Sequence, residues 1–206
     1  MTATATARDL EAVFLTDAPE QALTWLAAAR ERVSRNRYEL PSVFAGAGRA
    51  CGRTPLIDGR RTDEIARVLI LTWLSWRDPE PLMDLYRWGD ADEKHAVLSA
   101  LEHIELAGAA ALPIVEDALR TNDTRLIAAA LGRYGAQHLP DPAYRHAILK
   151  CVFCDIPLDS VSGLPDRADA ELARMLDDFV RERIAAGRSV PEDVWPILAR
   201  FPSRSR

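Results

Sequence analysis

The chain has 206 residues, of which 48% are hydrophobic and 28% are charged, values typical of a single globular domain with a sizeable core. Its formal net charge of −5 argues against a nucleic-acid-binding protein, because such proteins usually carry a basic excess. The N-terminus lacks the basic and apolar segments of a secretory signal, and the longest apolar stretch, 65–76, is shorter than the roughly 20 residues of a membrane span. We therefore expect a cytoplasmic protein without a membrane span.

Helical periodicity dominates the chain, and the alternation typical of strands is scarce. Residues 1–7 are expected to form a flexible tail, as are residues 202–206. A helix is predicted from Pro19 to about residue 33, with Asp17 as its cap. A second helix is strongly predicted over residues 62–76, with Thr62 as its N-cap. Because this segment is apolar on most sides, it is expected to be central and buried.

Proline, glycine and aspartate residues divide the rest of the sequence into further helices. The predicted segments are 42–51, 80–87, 91–106, 111–121, 124–134, 142–153, 170–186 and 191–199. Asp169 has the side chain and the position of an N-cap. Gly187 has the position of a C-terminal glycine in the left-handed conformation.

Two of these helical pairs resemble each other at an offset of 33 residues. When Asp84–Leu101 is aligned with Asp117–Tyr134, five of the eighteen positions are identical. The breaks between the helices also coincide, which favours two stacked helical hairpins of the HEAT type. Chance similarity between amphipathic helices is the alternative. The sequence thus predicts an all-α single domain spanning 1–206, built as a HEAT-like or irregular antiparallel helical stack.

The cysteine and histidine residues offer little evidence for a metal site. Cys151 and Cys154 have CxxC spacing, but no second pair and no preceding strand accompany them. We interpret them as structural thiols, with a zinc or redox motif as the alternative. His95 and His103 lie eight residues apart on one predicted helix, where they are candidates for acid–base groups rather than metal ligands. No metal and no cofactor is predicted.

Several short motifs in the last ninety residues carry a family resemblance. They are Leu119-Arg-Thr-Asn122, Ile148-Leu-Lys150, Phe153, Pro157-Leu158, the segment 163–176, Glu182-Arg-Ile-Ala-Ala-Gly-Arg188, Pro191-Glu192 and Trp195. In order and spacing they resemble the EboA family, and residues 44–56 are weakly similar to its N-terminal half. The resemblance implies a role in specialised-metabolite biosynthesis or export, beside a membrane prenyltransferase and other cluster enzymes.

Three positions depart from the family pattern. The segment 133–140 replaces an Asn-Pro-Tyr-Pro motif, Tyr144-Arg145 replaces a Trp-Asn pair, and Asp169 replaces an asparagine. These departures imply a divergent member with an altered substrate or a lost activity.

The candidate site residues are polar groups on or near these motifs. Arg120 and Asn122 end a predicted helix, where they can neutralise and cap helix ends or hold an anionic or carbonyl oxygen. Lys150 can extend its stem along an apolar face or act as an acid. Arg167 and Glu182 belong to a charge-rich set that forms ion pairs or an anion site.

The sequence-based hypothesis is a pocket between helices that binds and converts a small metabolite without a cofactor. Its catalytic candidates are His146, Glu182 and Lys150. Its substrate-binding candidates are Arg120, Asn122, Arg167 and Tyr144. The alternative is a non-catalytic helical scaffold for partner biosynthetic enzymes or a membrane prenyltransferase. An enclosed cavity favours the first hypothesis and an exposed apolar surface favours the second.

Overall fold

The fold of the protein consists of α-helices joined by turns and loops. A computed structural model describes residues 5–57 and 59–201. Within these ranges there are thirteen α-helices and no β-strand, with a single isolated bridge between Pro55 and Arg61. The helices are α1 (Ala7–Asp17), α2 (Glu20–Arg35), α3 (Leu40–Cys51), α4 (Thr62–Thr72), α5 (Glu80–Trp88), α6 (Ala91–Ala100), α7 (Leu112–Arg120), α8 (Thr124–Ala130), α9 (Arg133–His138), α10 (Asp141–Phe153), α11 (Leu164–Arg167), α12 (Ala170–Ala185) and α13 (Trp195–Arg200). The all-α prediction is confirmed.

The first helix, α1, was not expected from the sequence. Residue 7, assigned to a flexible tail, begins this helix, while residues 1–4 and 202–206 lie outside the described residues. Thr6 and Asp9 form a capping box, in which the Thr6 hydroxyl accepts a bond from the Asp9 N–H at 3.2 Å. Only Leu10 and Phe14 of α1 are buried, so its apolar stripe is too narrow to give a clear periodic signal.

Two of the predicted N-caps are wrong and one is confirmed. Asp17 is the last residue of α1, and Pro19 occupies the N-cap of α2 without a side-chain bond. Thr62 lies inside α4, where its single hydroxyl proton is shared between the carbonyl oxygens of Cys51 and Gly52, at 3.1 and 2.8 Å. Asp169 caps α12 as predicted, accepting a hydrogen bond from the Leu172 N–H at 2.9 Å. The Thr62 hydroxyl is thus used by carbonyl oxygens near the end of α3, whereas the Asp169 carboxylate is used by the first turn of α12.

The chain folds into two compact units, and the boundary between them lies between Val115 and Glu116. In the first unit, α4 packs against α1, α2, α3 and α6. Nearly all of its side chains are buried, which confirms the prediction of a central helix. The burial includes an ion pair in which Arg67 Nη1 donates to Asp63 Oδ2 at 2.9 Å, and Arg67 Nε donates to the Phe44 carbonyl at 3.2 Å. The bond to the Phe44 carbonyl ties α4 to α3.

The second unit is organised around α10. This helix packs against α8, against α12 and against a 3₁₀ turn, Leu158–Ser160, while α12 also contacts α13. Tyr144 of α10 is 1% exposed, and its hydroxyl donates to the Ser162 carbonyl at 2.7 Å. The long loop before α12 turns at Gly163, whose φ of +72° lies in the left-handed region that favours glycine.

The predicted repeat has matching local chemistry at both of its copies. Asp84 pairs with Arg87 at 2.6 Å, and Asp117 pairs with Arg120 at 2.9 Å. Asp90 caps α6, and Asp123 caps α8. The second copy is nevertheless broken, because α8 ends at residue 130 and α9 begins after Gly132. HEAT-like stacking and the single-domain boundary remain predictions.

The helix predicted over 91–106 is shorter than expected. It ends at Ala100 and continues as turns. His95 and His103 therefore do not share a helix face. His95 instead lies 3.7 Å from a carboxylate oxygen of Glu64.

Candidate functional site

The three predicted catalytic residues line one groove between α10 and α12. His146 and Lys150 lie one turn apart on α10, and Glu182 lies on α12. The cavity has a volume of about 540 Å³. Its remaining walls are Leu149, Phe153, Met175, Asp178 and Phe179. We call this cavity the α10–α12 groove.

The wall residues of the α10–α12 groove follow from helical spacing. On α10 the positions 146, 149, 150 and 153 follow the i, i+3, i+4, i+7 spacing of one helix face, and on α12 the positions 175, 178, 179 and 182 do the same. Each helix thus presents one face that combines apolar and polar side chains. Phe153 is 70% exposed, so the groove is open to solvent rather than an enclosed cavity.

His146 presents one ring nitrogen to the solvent side of the groove. Its Nδ1 lies 2.7 Å from the Pro142 carbonyl oxygen, which is only an acceptor. Nδ1 therefore carries a proton, and in the neutral ring Nε2 is the acceptor. The His146 side chain is exposed, which leaves Nε2 accessible to a ligand hydroxyl or amide group.

Lys150 has a structural role in addition to its place in the groove. Its Nζ donates to the carbonyl oxygens of Leu119 and Thr121, both at 2.6 Å. Those carbonyls belong to the C-terminal end of α7, where a positive charge is stabilising. The ammonium group has three N–H donors, so one of them remains for a ligand.

Arg167 and Tyr144, two predicted substrate-binding residues, contact each other beside α9 rather than lining the α10–α12 groove. The Arg167 guanidinium lies 4.0 Å from the centre of the Tyr144 ring. It donates to the carbonyl oxygens of Ala136 and Leu139 at 2.6 and 2.8 Å, and to Asp141 at 2.7 Å. Burial raises the pKa of Tyr144 to about 12. Arg167 therefore ties α11 to α9 and to the start of α10, and Tyr144 ties α10 to Arg167 and to the loop at Ser162.

Arg120 and Asn122, the other two predicted binding residues, do not line the groove either. Arg120 is exposed and is held by its ion pair with Asp117 at 2.9 Å. The cap of α8 that Asn122 was expected to supply comes from Asp123, which accepts a bond from the Arg125 N–H at 3.0 Å. The predicted set of seven residues is thus not one pocket: three members share a groove and four do not.

Two of the positions that depart from the family pattern are partners in the structure. Arg145 and Asp169 form a two-pronged ion pair, with Nε–Oδ1 at 3.1 Å and Nη2–Oδ2 at 2.5 Å. The hydrogen bond from Arg145 lowers the pKa of Asp169. Because Asp169 also caps α12, this pair connects the start of α12 to α10.

Two of the three cysteines, Cys51 and Cys151, are buried, and Cys154 is partly exposed. Cys151 is fully buried, and this burial raises the pKa of its thiol to about 12. A thiol with such a pKa is a poor nucleophile. Cys51 and Cys154 are also free thiols. Across residues 5–57 and 59–201, no cluster of three or more His, Cys, Asp or Glu side chains has the geometry to hold a metal ion.

A second groove, in the first unit, was missed by the sequence analysis. It lies between residues 37–45 and 78–93 and has a volume of about 770 Å³. Its lining includes Phe44, Tyr38 and Trp88 as well as several carboxylates, such as Glu80 and Asp84. We call it the acidic groove. A signal for it in the sequence was Trp88, a large aromatic residue at the end of α5 that does not belong to the buried face of that helix.

The fold and these cavities define an all-α protein with an open groove of small-molecule size in each of its two units. The model of the family described as "Metabolite traffic protein EboA" matches residues 58–199, so the chain belongs to the EboA family. No curated protein and no solved structure shows a significant match. Among the helices described, none combines the length and the apolar character needed to cross a membrane.

Proposed function

We propose that this protein binds a small, mainly apolar metabolite in the α10–α12 groove and releases it to another component of a cytoplasmic route of specialised metabolism. The observation that carries the proposal is the convergence of His146, Lys150 and Glu182 on one apolar groove. A volume of about 540 Å³ lies within the range of small-molecule sites. The family description, which names metabolite traffic, agrees with this role.

The polar side chains of the groove favour a ligand that carries oxygen functions. His146 Nε2 accepts a hydrogen bond from a ligand hydroxyl group, and the remaining Lys150 N–H donates to a ligand oxygen. Leu149, Phe153 and Phe179 supply apolar contacts for the body of the ligand. Few, well-placed polar groups on an apolar surface fix the orientation of a ligand.

Binding and release are favoured over chemical conversion because the groove is open. Acid–base catalysis by His146 and Glu182 gains most of its strength where water is excluded, whereas Phe153 at the edge of this groove is 70% exposed. Lys150 also has two of its three N–H groups occupied by carbonyl oxygens. The same residues therefore serve recognition better than proton transfer.

The proposal is tested by ligand capture from a small-molecule extract of the producing cells, using native mass spectrometry and thermal shift. We expect a bound compound that stabilises the wild type and is lost in Phe153→Ala and in His146→Gln. Arg120→Ala is the matched control, since Arg120 is exposed and lies outside the groove. Retention in both groove variants, or no retained compound in the wild type, contradicts the proposal. Recovery of the compound with an altered mass assigns conversion instead of carriage.

A scaffold function is the second candidate, and exposed apolar residues of the second unit support it. Phe153 is 70% exposed, and Ile184 on α12 is 62% exposed. Such side chains are common at surfaces that bind a partner protein. If a biosynthetic partner enzyme binds the wild type but not Ile184→Ser, while the small-molecule extract yields no ligand, the scaffold function is favoured.

A further inference from the structure

The acidic groove has an apolar floor with two aromatic side chains at its rim. Leu40, Phe44 and Leu85 form the floor and are at most 7% exposed. Tyr38 and Trp88 at the rim are 95% and 80% exposed. Tyrosine and tryptophan side chains with so much free surface present open ring faces, which attract organic cations.

The charges around this floor are mainly negative. Four carboxylates line the groove, those of Asp78, Glu80, Asp84 and Glu93, against one lining cation, Arg37. Arg87 compensates part of this charge, since its Nη1 lies 2.6 Å from Asp84 and 3.6 Å from Glu80. Four negative charges against two positive charges leave an excess of two.

Two of these carboxylates accept hydrogen bonds from the backbone at helix ends. Glu93 accepts a hydrogen bond from the Asp90 N–H at 3.1 Å, and Asp78 accepts one from the Glu80 N–H at 3.1 Å. A backbone N–H is a neutral donor, so it does not cancel the field of the carboxylate as a cation would. The groove therefore has a negative potential above an apolar surface.

The turn between α5 and α6 holds this rim in place. A Cβ at Gly89 would lie 2.6 Å from the Leu85 carbonyl oxygen and 2.9 Å from the Glu93 Cβ. Only glycine fits at this distance, so the end of α5 and the start of α6 approach each other closely. Trp88 and Glu93 are consequently carried by a tightly packed turn.

We propose that the acidic groove is a binding site for a small organic cation, an amine with an aromatic or aliphatic body. Its ammonium group lies against the Trp88 ring in the negative field of the four carboxylates, while its body covers Phe44. A volume of about 770 Å³ fits a small molecule rather than an extended chain. This site shares no residue with the α10–α12 groove, so either proposal can fail without the other.

The test is calorimetric titration with tryptamine, which joins an indole body to a primary ammonium group. Tryptophol, in which a hydroxyl replaces the ammonium, is the neutral control, and indole-3-propionate is the anionic control. We expect tryptamine to bind about tenfold more tightly than tryptophol, because ion pairs and cation–π contacts are lost in the neutral probe. Equal affinities for tryptamine and tryptophol, or no tryptamine binding at millimolar concentration, overturn the proposal.

Variants locate the binding site. Trp88→Leu and the double variant Glu80→Gln/Asp84→Asn are each expected to weaken tryptamine binding about tenfold. Asp117→Asn is the matched control, since Asp117 forms the same i,i+3 pair with an arginine but does not line the groove. Thermal melting of each variant confirms folding, and Trp88→Leu removes no buried side chain. Unchanged affinity in both groove variants overturns the proposal.

A basic peptide is the competing occupant and is included in the same titration. Trilysine carries the charge of such a segment without an aromatic body. If trilysine binds more tightly than tryptamine and Trp88→Leu leaves its affinity unchanged, the groove recognises a basic partner segment, and the assignment to a small amine is overturned.

Discussion

Replacing Lys150 by methionine separates the structural role of its ammonium group from the packing of its stem. Methionine keeps an unbranched apolar chain of similar length but cannot donate to the Leu119 and Thr121 carbonyls. Hydrogen bonds from a charged donor contribute about 1.5–3 kcal/mol each, and both of these bonds are 2.6 Å long. Because Lys150 is half-buried, water replaces part of each bond. The lower limit for the two bonds together is about 3 kcal/mol, and because water replaces part of each bond we expect a loss of about 2–3 kcal/mol.

The assay is urea denaturation followed by circular dichroism, with the free energy of unfolding compared between variants. Lys94→Met is the matched control, because Lys94 is the other lysine of the sequence and its Nζ makes a cation–π contact, 5.1 Å from the centre of the Tyr86 ring. A cation–π contact contributes about 0.5–1 kcal/mol at an exposed site and about 2 kcal/mol when desolvated, and Lys94 is partly exposed. If Lys150→Met loses no more stability than Lys94→Met, the proposed tie between α10 and the end of α7 is refuted.

Three further predictions concern other buried or paired groups. Asp63→Asn is expected to lower the free energy of unfolding by about 3 kcal/mol, because it leaves the Arg67 guanidinium, 3% exposed, without its counter-ion. A loss below about 1 kcal/mol in urea denaturation would contradict this. The lowered pKa of Asp169 stabilises the fold above the unfolded pKa of about 3.9, and this contribution is lost as the pH falls through the folded pKa. Arg145→Gln should therefore lose less stability than the wild type in an acid titration, and an equal loss would argue against the pair. The buried Cys151 thiol has a pKa of about 12, so in the folded protein it should resist iodoacetamide under mildly alkaline conditions, and it should react in urea. Fast labelling of Cys151 in the folded protein would count against its burial.

Much of the helical architecture was predictable because its signals are local. The apolar positions of α4 recur with helical spacing, and Asp169 and Gly187 stand where a helix must begin and end. The N-terminal helix α1 escaped prediction because only Leu10 and Phe14 anchor it. Thr62 was assigned the wrong role because its hydroxyl found acceptors ten and eleven residues earlier in the chain.

The candidate site was predictable only in part. Helical spacing predicts which face of its own helix each catalytic candidate occupies. It does not predict that α10 packs against α12, and this packing brings His146, Lys150 and Glu182 to one groove. Arg167 was expected to bind an anion, yet its donors are satisfied by carbonyl oxygens of residues 136 and 139, about thirty positions away. No local pattern encodes such a partner.

The sequence by itself determined the helical class, most helix positions and the family, because periodicity, capping residues and motif spacing act over a few residues. The tertiary structure alone decided which polar side chains are free for a ligand. When a charged side chain is partly or fully buried, it forms hydrogen bonds with the carbonyl or carboxylate groups that tertiary packing brings next to it. Lys150, which donates to carbonyl oxygens at the end of α7, is an example. The acidic groove also depends on packing, because its walls come from two segments, 37–45 and 78–93, that are distant in sequence. Neither segment alone has a charge pattern that indicates a binding site.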